Sequence, residues 1–184
     1  VLKDKLELID GIAQGLRFLH EHDISHLDLK SMNMLLDEQH TIKICDFGLS
    51  KVKAELRPEE GEGESNGLAG GSLPWMAPEL MIGEPPSTKA DVFSFYVLMW
   101  EVMAAKLPHE GKSTMQIIKL VSRKKKRLPL PEGMPEQLVE LFQQCWDNDP
   151  EIRPTMEEVV EAIKLIIHNP RRRVYTTADS LAQS

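Results

Sequence analysis

The run His26-Leu27-Asp28-Leu29-Lys30-Ser31-Met32-Asn33 sets a carboxylate, an ammonium and an amide within a few positions of one another, and Asp46-Phe47-Gly48 adds a second carboxylate. A carboxylate can take or orient a hydroxyl proton. An ammonium answers to phosphate, and carboxylate and amide oxygens are the hard donors that Mg²⁺ accepts in an octahedral shell shared with phosphates and water. A third run, Ala77-Pro78-Glu79, lies further on. Singly each is weak, because a polar surface loop carries the same residue types and an Asp-Phe-Gly triplet arises by chance.

Apolar residues at Leu2, Leu6, Ile9, Ala13 and Leu16 step by four and three, which predicts an amphipathic helix reaching about His20, just ahead of the first run. Met34-Leu35-Leu36 and Thr41-Ile42-Lys43-Ile44-Cys45, separated by a polar turn, predict a small hairpin between the first two runs. Residues 50–72 are a long polar stretch of the kind that is functional or mobile. Asp91 to Met103 is apolar almost all round, broken by Ser94 and Glu101, and reads as a helix buried on most sides. Ser113 with Gln116, and Thr155 with Glu158, match capping boxes at helix starts. The second box opens a helix with Met156, Val159, Val160, Ile163 and Ile167 on one side, and Leu138, Leu141, Phe142 and Cys145 mark another. The expected architecture is mainly helical with a small β-hairpin, ending in a tail from about Arg171.

The 184 residues carry 22 Lys and Arg against 29 Asp and Glu, a net charge of −7, with 41% hydrophobic and 28% charged residues. That is one ordinary globular domain, not a disordered segment or a dedicated nucleic-acid binder, which would need a basic surplus. Two cysteines, Cys45 and Cys145, read as free thiols in a cytoplasmic protein rather than as a disulfide framework. No apolar run is long enough for a membrane span, and the opening residues lack the pattern of a signal peptide.

In this order, with a strand pair between the first two runs and a polar loop before the third, the chain resembles the protein kinases over residues 2 to about 168. The likeness extends through Asp91 to Val102 and Cys145 to Thr155, which are similar to the kinase helical lobe. The resemblance implies a protein-kinase-like α+β fold represented by its mainly α-helical C-terminal lobe at residues 1–168, with 169–184 a disordered tail. It implies transfer of the ATP γ-phosphate to a Ser or Thr hydroxyl with Mg²⁺, on a protein substrate, in intracellular signalling. Asp28 and Lys30 would be catalytic, Asn33 and Asp46 the metal ligands, and Leu35 and Cys45 would line the nucleotide site. His26 and Phe47 would stack in the internal hydrophobic column, and Gly48 would allow the turn into the activation segment. Asp91 would accept N–H bonds from the catalytic loop, and Glu79 would pair with Arg153. Trp75-Met76-Ala77-Pro78-Glu79 and Cys145-Trp146 with Arg153-Pro154 resemble the tyrosine-kinase-like group. Ile44 to Lys51 and His26-Leu27-Asp28 are most similar to the receptor-interacting protein kinases, then to the mixed-lineage kinases. A kinase dimer or an adaptor is the implied further partner.

Leu27 stands where most kinases have Arg, and Phe93 and Tyr96 stand where Trp and Gly are usual, with local repacking expected. The Gly-rich loop, the strand Lys and its Glu partner are not among these residues, so half of the ATP site and the N-terminal lobe are expected to be absent. The alternative is a pseudokinase lobe that acts as a scaffold. Blander readings are expected elsewhere. Arg123-Lys124-Lys125-Lys126-Arg127 reads as a solvated loop ahead of a nuclear-localisation or nucleic-acid patch, Cys45 as a small buried filler ahead of a reactive thiol, and Glu55 to Glu64 as solvent-facing loop ahead of an acidic docking segment. His20, His22 and His26 lack metal-site spacing. The resemblance places Ser50, Ser65 and Ser72 in the activation segment, and Ser72 reads as structural before regulatory.

Overall fold

Helix α1, Leu2–Glu21, buries Leu6, Ile9, Ile12, Ala13, Leu16 and Leu19, the expected face extended by one turn. The computed structural model describes residues 2–39, 41–52 and 72–169. After α1 the chain makes β1 (Ile24–Ser25), a 3₁₀ turn (Ser31–Asn33), β2 (Met34–Leu36), β3 (Ile42–Ile44) and β4 (Lys51–Val52). The expected hairpin is present, with β2 antiparallel to β3 and Met34 opposite Ile44. It lies directly on α1, where a Cβ at Gly15 would stand 3.0 Å from Ile44 Cδ1. The pairing of β1 with β4, Ile24 opposite Val52, was not expected.

A 3₁₀ turn (Leu73–Trp75) leads to α2 (Pro78–Met81) and then to α3 (Thr88–Ala104). Helix α3 starts before Asp91, because the Ser87 side chain accepts from the Lys89 N–H and caps it. Every residue from Ala90 to Trp100 is buried, as a run apolar almost all round requires. The two polar breaks both serve Trp75. Ser94 Oγ donates to the Trp75 carbonyl at 2.8 Å, and Glu101 accepts the Trp75 indole N–H at 3.0 Å.

Both capping boxes form, opening α4 (Thr114–Ile118) and α6 (Met156–His168). Helix α4 runs into a π-helical turn, Lys119–Arg123. Helix α5 (Glu136–Cys145) buries Leu138, Val139, Leu141, Phe142 and Cys145. On α6 the buried residue of the last turn is Ile166, and Ile167 is only half-buried. The step from Ile163 to Ile166 keeps the stripe on the face that meets α1.

Phe93 and Tyr96 sit in one aromatic cluster. Tyr96 makes edge-to-face contacts with Phe93, Phe142 and Trp146, and its hydroxyl accepts the Leu128 N–H at 3.0 Å. The guanidinium groups of Arg127 and Arg153 stand 5.1 and 5.2 Å from the Phe93 ring centre. Arg127 therefore departs from the solvated-loop reading. It is half-buried, with Nε donating to the Trp146 carbonyl at 2.8 Å and Nη2 to Asn148 Oδ1 at 2.7 Å. Among the described residues no helix is long and apolar enough to cross a membrane. The expected tail, Ser65 and the Glu55 to Glu64 cluster lie outside the described residues.

Candidate active site

The loop from β1 to β2 hangs from one carboxylate at the start of α3. Asp91, 0% exposed, accepts the His26 N–H on Oδ2 and the Leu27 N–H on Oδ1, both at 2.8 Å. His20, in the last turn of α1, adds a third contact from Nε2 to Asp91 Oδ2 at 2.9 Å. These bonds hold Leu27 at a φ of +65°, a left-handed backbone that a branched side chain adopts only under constraint. His20 was weighed in the sequence only as a metal ligand; its place in the last turn of α1, just before the loop, is the signal for this other role.

His26 is fully buried beneath the loop. Its Nδ1 accepts the Asp28 N–H at 3.3 Å, so Nε2 carries the proton and donates to the Cys45 carbonyl at 3.1 Å. The ring lies 5.2 Å from Phe47, centre to centre, in a tilted contact. The three histidines thus have separate partners, with His22 on the Phe18 carbonyl.

Lys30 Nζ donates to Asp28 Oδ2 and to Ser72 Oγ, each at 2.8 Å, which ties the loop to the residue that opens the Leu73–Trp75 turn. Asn33 Nδ2 donates to the Asp28 carbonyl at 2.8 Å and sits 3.3 Å from Asp28 Oδ2. Asp28 Oδ1 is buried and has no hydrogen-bond partner among the described residues. Burial alone would push the Asp28 carboxyl up, but the hydrogen bonds from Lys30 and Ser72, the Lys30 charge and Asn33 outweigh it. They hold Asp28 below the usual carboxylate range. Oδ2 is held by Lys30 and Asn33, while Oδ1 keeps its lone pairs without a partner among the described residues.

Asp46 is exposed, with a φ of +64°, and its Oδ1 accepts the Gly48 N–H at 3.3 Å. The left-handed turn therefore falls on Asp46 and not on Gly48. A Cβ at Gly48 would lie 3.3 Å from Asp46 Oδ1, a tight contact that a small shift of the exposed carboxylate relieves. Cys45 is half-buried, not the buried filler expected. Its thiol and its N–H both point at the Asn33 carbonyl, at 3.4 and 2.9 Å, stitching the end of β3 to the loop. Leu35 is 54% exposed on the hairpin, beside Leu36 at 55%. The Asn33 amide nitrogen is committed to Asp28, so the oxygen is the atom Asn33 can offer a cation.

Away from the loop, Arg153 (1% exposed) and Glu79 (5%) form a two-pronged pair, Nη1 to Oε1 at 2.6 Å and Nη2 to Oε2 at 2.8 Å. Arg153 also donates to the carbonyls of Asp147 and Lys89. The Lys89 ammonium donates in return to the Arg153 carbonyl.

Residues 1–163 match the family described as protein tyrosine and serine/threonine kinase. A probable serine/threonine-protein kinase of Dictyostelium discoideum is 40% identical over 155 residues, which cover 84% of this chain and 16% of that protein. The serine/threonine-protein kinase CTR1 of Arabidopsis thaliana is 35% identical over 165 residues, 89% of this chain and 19% of the relative. Mitogen-activated protein kinase kinase kinase 12 of Rattus norvegicus is 37% identical over 150 residues, 82% of this chain and 16% of the relative. In each case the chain spans a minor part of the relative's length. The ordered loop, its buried anchor and the matched family agree, and the chain belongs to the protein tyrosine and serine/threonine kinases, by family a protein serine/threonine kinase.

Proposed function

We propose that the protein to which these residues belong transfers the γ-phosphoryl group of ATP to a Ser or Thr hydroxyl of a protein substrate. The observation that carries this is the Lys30 ammonium shared between Asp28 and Ser72, beside the buried Asp28 Oδ1, which has no partner among the described residues. Asp28 Oδ1 accepts the substrate hydroxyl and aims its oxygen. A carboxyl held below its usual range is a weak base, so its task is orientation and late acceptance of the proton, which suits a reaction that asks mainly for positioning. Lys30 supplies a cation where charge gathers on the transferring group, and Ser72 fixes that ammonium. ATP with Mg²⁺, when bound, supplies the phosphoryl group and neutralises its charge. Asn33 Oδ1 and the Asp46 carboxylate fit a hard cation that needs only one or two protein oxygens besides phosphate and water. Leu35 and Cys45 would line the base and the inner wall of the nucleotide site.

The finer assignment follows the same reading: a kinase of the tyrosine-kinase-like group, most similar to the receptor-interacting and mixed-lineage kinases, acting in the cytoplasm and controlled through dimerisation or an adaptor. A scaffold role draws support from the exposed apolar side chains Met32, Leu35, Leu36 and Phe47. The test is phosphorylation of a generic Ser/Thr protein substrate by the full-length protein, with Asp28→Asn and Asp46→Asn variants and with the divalent cation chelated. Activity that both substitutions and chelation abolish supports the kinase. A wild-type protein that binds partners but transfers no phosphate, or activity indifferent to both variants, rejects it.

A further inference from the structure

Four successive cations, Arg123, Lys124, Lys125 and Lys126, follow α4 on the surface, and all four are exposed. None of their charged groups makes a hydrogen bond or ion pair with a described residue, in a chain whose net charge is −7. A merely solvated charge run needs no fixed backbone, yet this one has it. The segment leaves a π-helical turn, Lys119–Arg123, a rare geometry that recurs at functional sites. The Lys124 N–H donates to the Lys119 carbonyl at 2.9 Å and the Lys126 N–H to the Leu120 carbonyl at 2.8 Å. Between them Lys125 is held left-handed, with a φ of +52°. Arg127 then clamps the end of the run onto Phe93, the Trp146 carbonyl and Asn148. Holding like charges side by side without an anion opposes folding, and so does the left-handed lysine.

From these facts we infer that Arg123 to Lys126 form a preorganised docking surface for a short acidic segment of a partner protein, rich in Asp and Glu. The backbone ordering is already complete before the partner arrives, so little further entropy is lost on binding. Charge complementarity gives such a contact its rate and its salt dependence. A duplex nucleic acid or an anionic bilayer fits less well. Either would bring an extended polyanion against the acidic remainder of the chain, and the run carries no aromatic residue on which a base could stack. A short acidic peptide meets only the four cations.

The experiment uses the full-length protein and needs no catalysis, so it stands or falls apart from the kinase reading. A fluorescein-labelled peptide of alternating Asp and Glu is titrated by anisotropy beside its Asn and Gln counterpart, at low and at moderate salt. Lys124→Glu with Lys125→Glu and Lys126→Glu is compared with Lys106→Glu, Lys112→Glu and Lys164→Glu, exposed lysines elsewhere that give the same change in charge. The expected result is a loss of affinity of about tenfold or more in the first triple variant, about twofold or less in the second, and weakening with salt. Replacement of the same three lysines by Gln should give an intermediate loss with an unchanged melting temperature. Equal losses in the two triple variants would mean that bulk charge alone is read, and would overturn the inference. So would failure of the acidic peptide to bind while a DNA duplex or a phosphatidylserine vesicle binds through the same lysines.

Discussion

An ammonium shared between a carboxylate and a hydroxyl does two jobs, holding the carboxylate charged and fixing the position of both partners. Lys30 is in that position between Asp28 and Ser72. Removing it by Lys30→Ala should lower kcat by about 10²-fold or more, the scale of a lost electrostatic donor. It should also move the acid limb of the pH–rate profile to higher pH, because Asp28 loses both a hydrogen bond and a neighbouring positive charge. A profile that keeps its acid limb would show that Asp28 is not held down by Lys30. Ser72→Ala should cost about tenfold, ~1.4 kcal/mol in the barrier, and Ser72→Thr should restore it, since only the hydroxyl meets Lys30. One residue further in, Leu27 is half-buried against the core and brings no charge beside Asp28. A phosphate works as a switch where a cation can meet it. The Ser50 hydroxyl is already engaged with the His26 carbonyl at 3.3 Å. Phosphatase treatment of the full-length protein, or Ser50→Ala, should therefore change activity by less than about tenfold; a larger fall would mean another cation takes the phosphate.

Helices announced themselves in the sequence because their periods are long enough to count. Alternating steps of four and three marked α1, the two capping boxes marked α4 and α6, and the hairpin showed as two apolar runs around a polar turn. The β1–β4 pair was not legible, since strands of two residues, Ile24–Ser25 and Lys51–Val52, carry no alternation. Nor could the sequence tell that the left-handed residue after β3 is Asp46 when a glycine stands two positions on, because local preference favours the glycine and the hydrogen bond to Asp46 decides otherwise. The anchor between elements was half legible. Asp91 was expected to hold the loop, but His20 joins it only once α1 and α3 are packed. Asp91→Asn should expose the dependence of the loop on that anchor. One accepting oxygen becomes an NH₂ group facing an N–H, at a cost of about 1.5–3 kcal/mol, and Leu27 is freed from its left-handed backbone. We expect a melting temperature lower by several degrees and a fall in kcat that exceeds any change in the KM for ATP. His20→Gln, which keeps a donor near the Nε2 position, should be milder than His20→Ala on both measures. An Asp91→Asn protein that melts lower but turns over normally would restrict the anchor to stability.

At the scale of the whole molecule, one ion pair ties α2 to the chain that opens the last helix. Arg153 reaches Glu79 on α2, the Lys89 carbonyl at the start of α3, the Asp147 carbonyl after α5 and the face of Phe93, and α6 begins just beyond it. A buried pair of this kind adds little over a well-packed apolar pair, but removing one partner strands the other charge, at about 3–5 kcal/mol. The two partners are not equivalent. Glu79→Ala leaves Arg153 with two carbonyls and an aromatic ring, all of which tolerate a cation. Arg153→Ala leaves Glu79 without its ion-pair partner, opens the space of the largest fully buried side chain, and orphans the carbonyls of Asp147 and Lys89. Arg153→Ala should therefore be the more destabilising change. The double variant should be no worse than Arg153→Ala alone, because the stranded carboxylate is gone and nothing further is lost. Chemical denaturation of the four proteins in a double-mutant cycle measures this, and the coupling should be of the order of 3 kcal/mol. Strictly additive losses would mean that Glu79 and Arg153 do not act as a pair. Equal losses in the two single variants would mean that the carbonyls and the Phe93 ring contribute nothing beyond the ion pair, leaving Phe93 and Tyr96 as filling rather than as part of the tie.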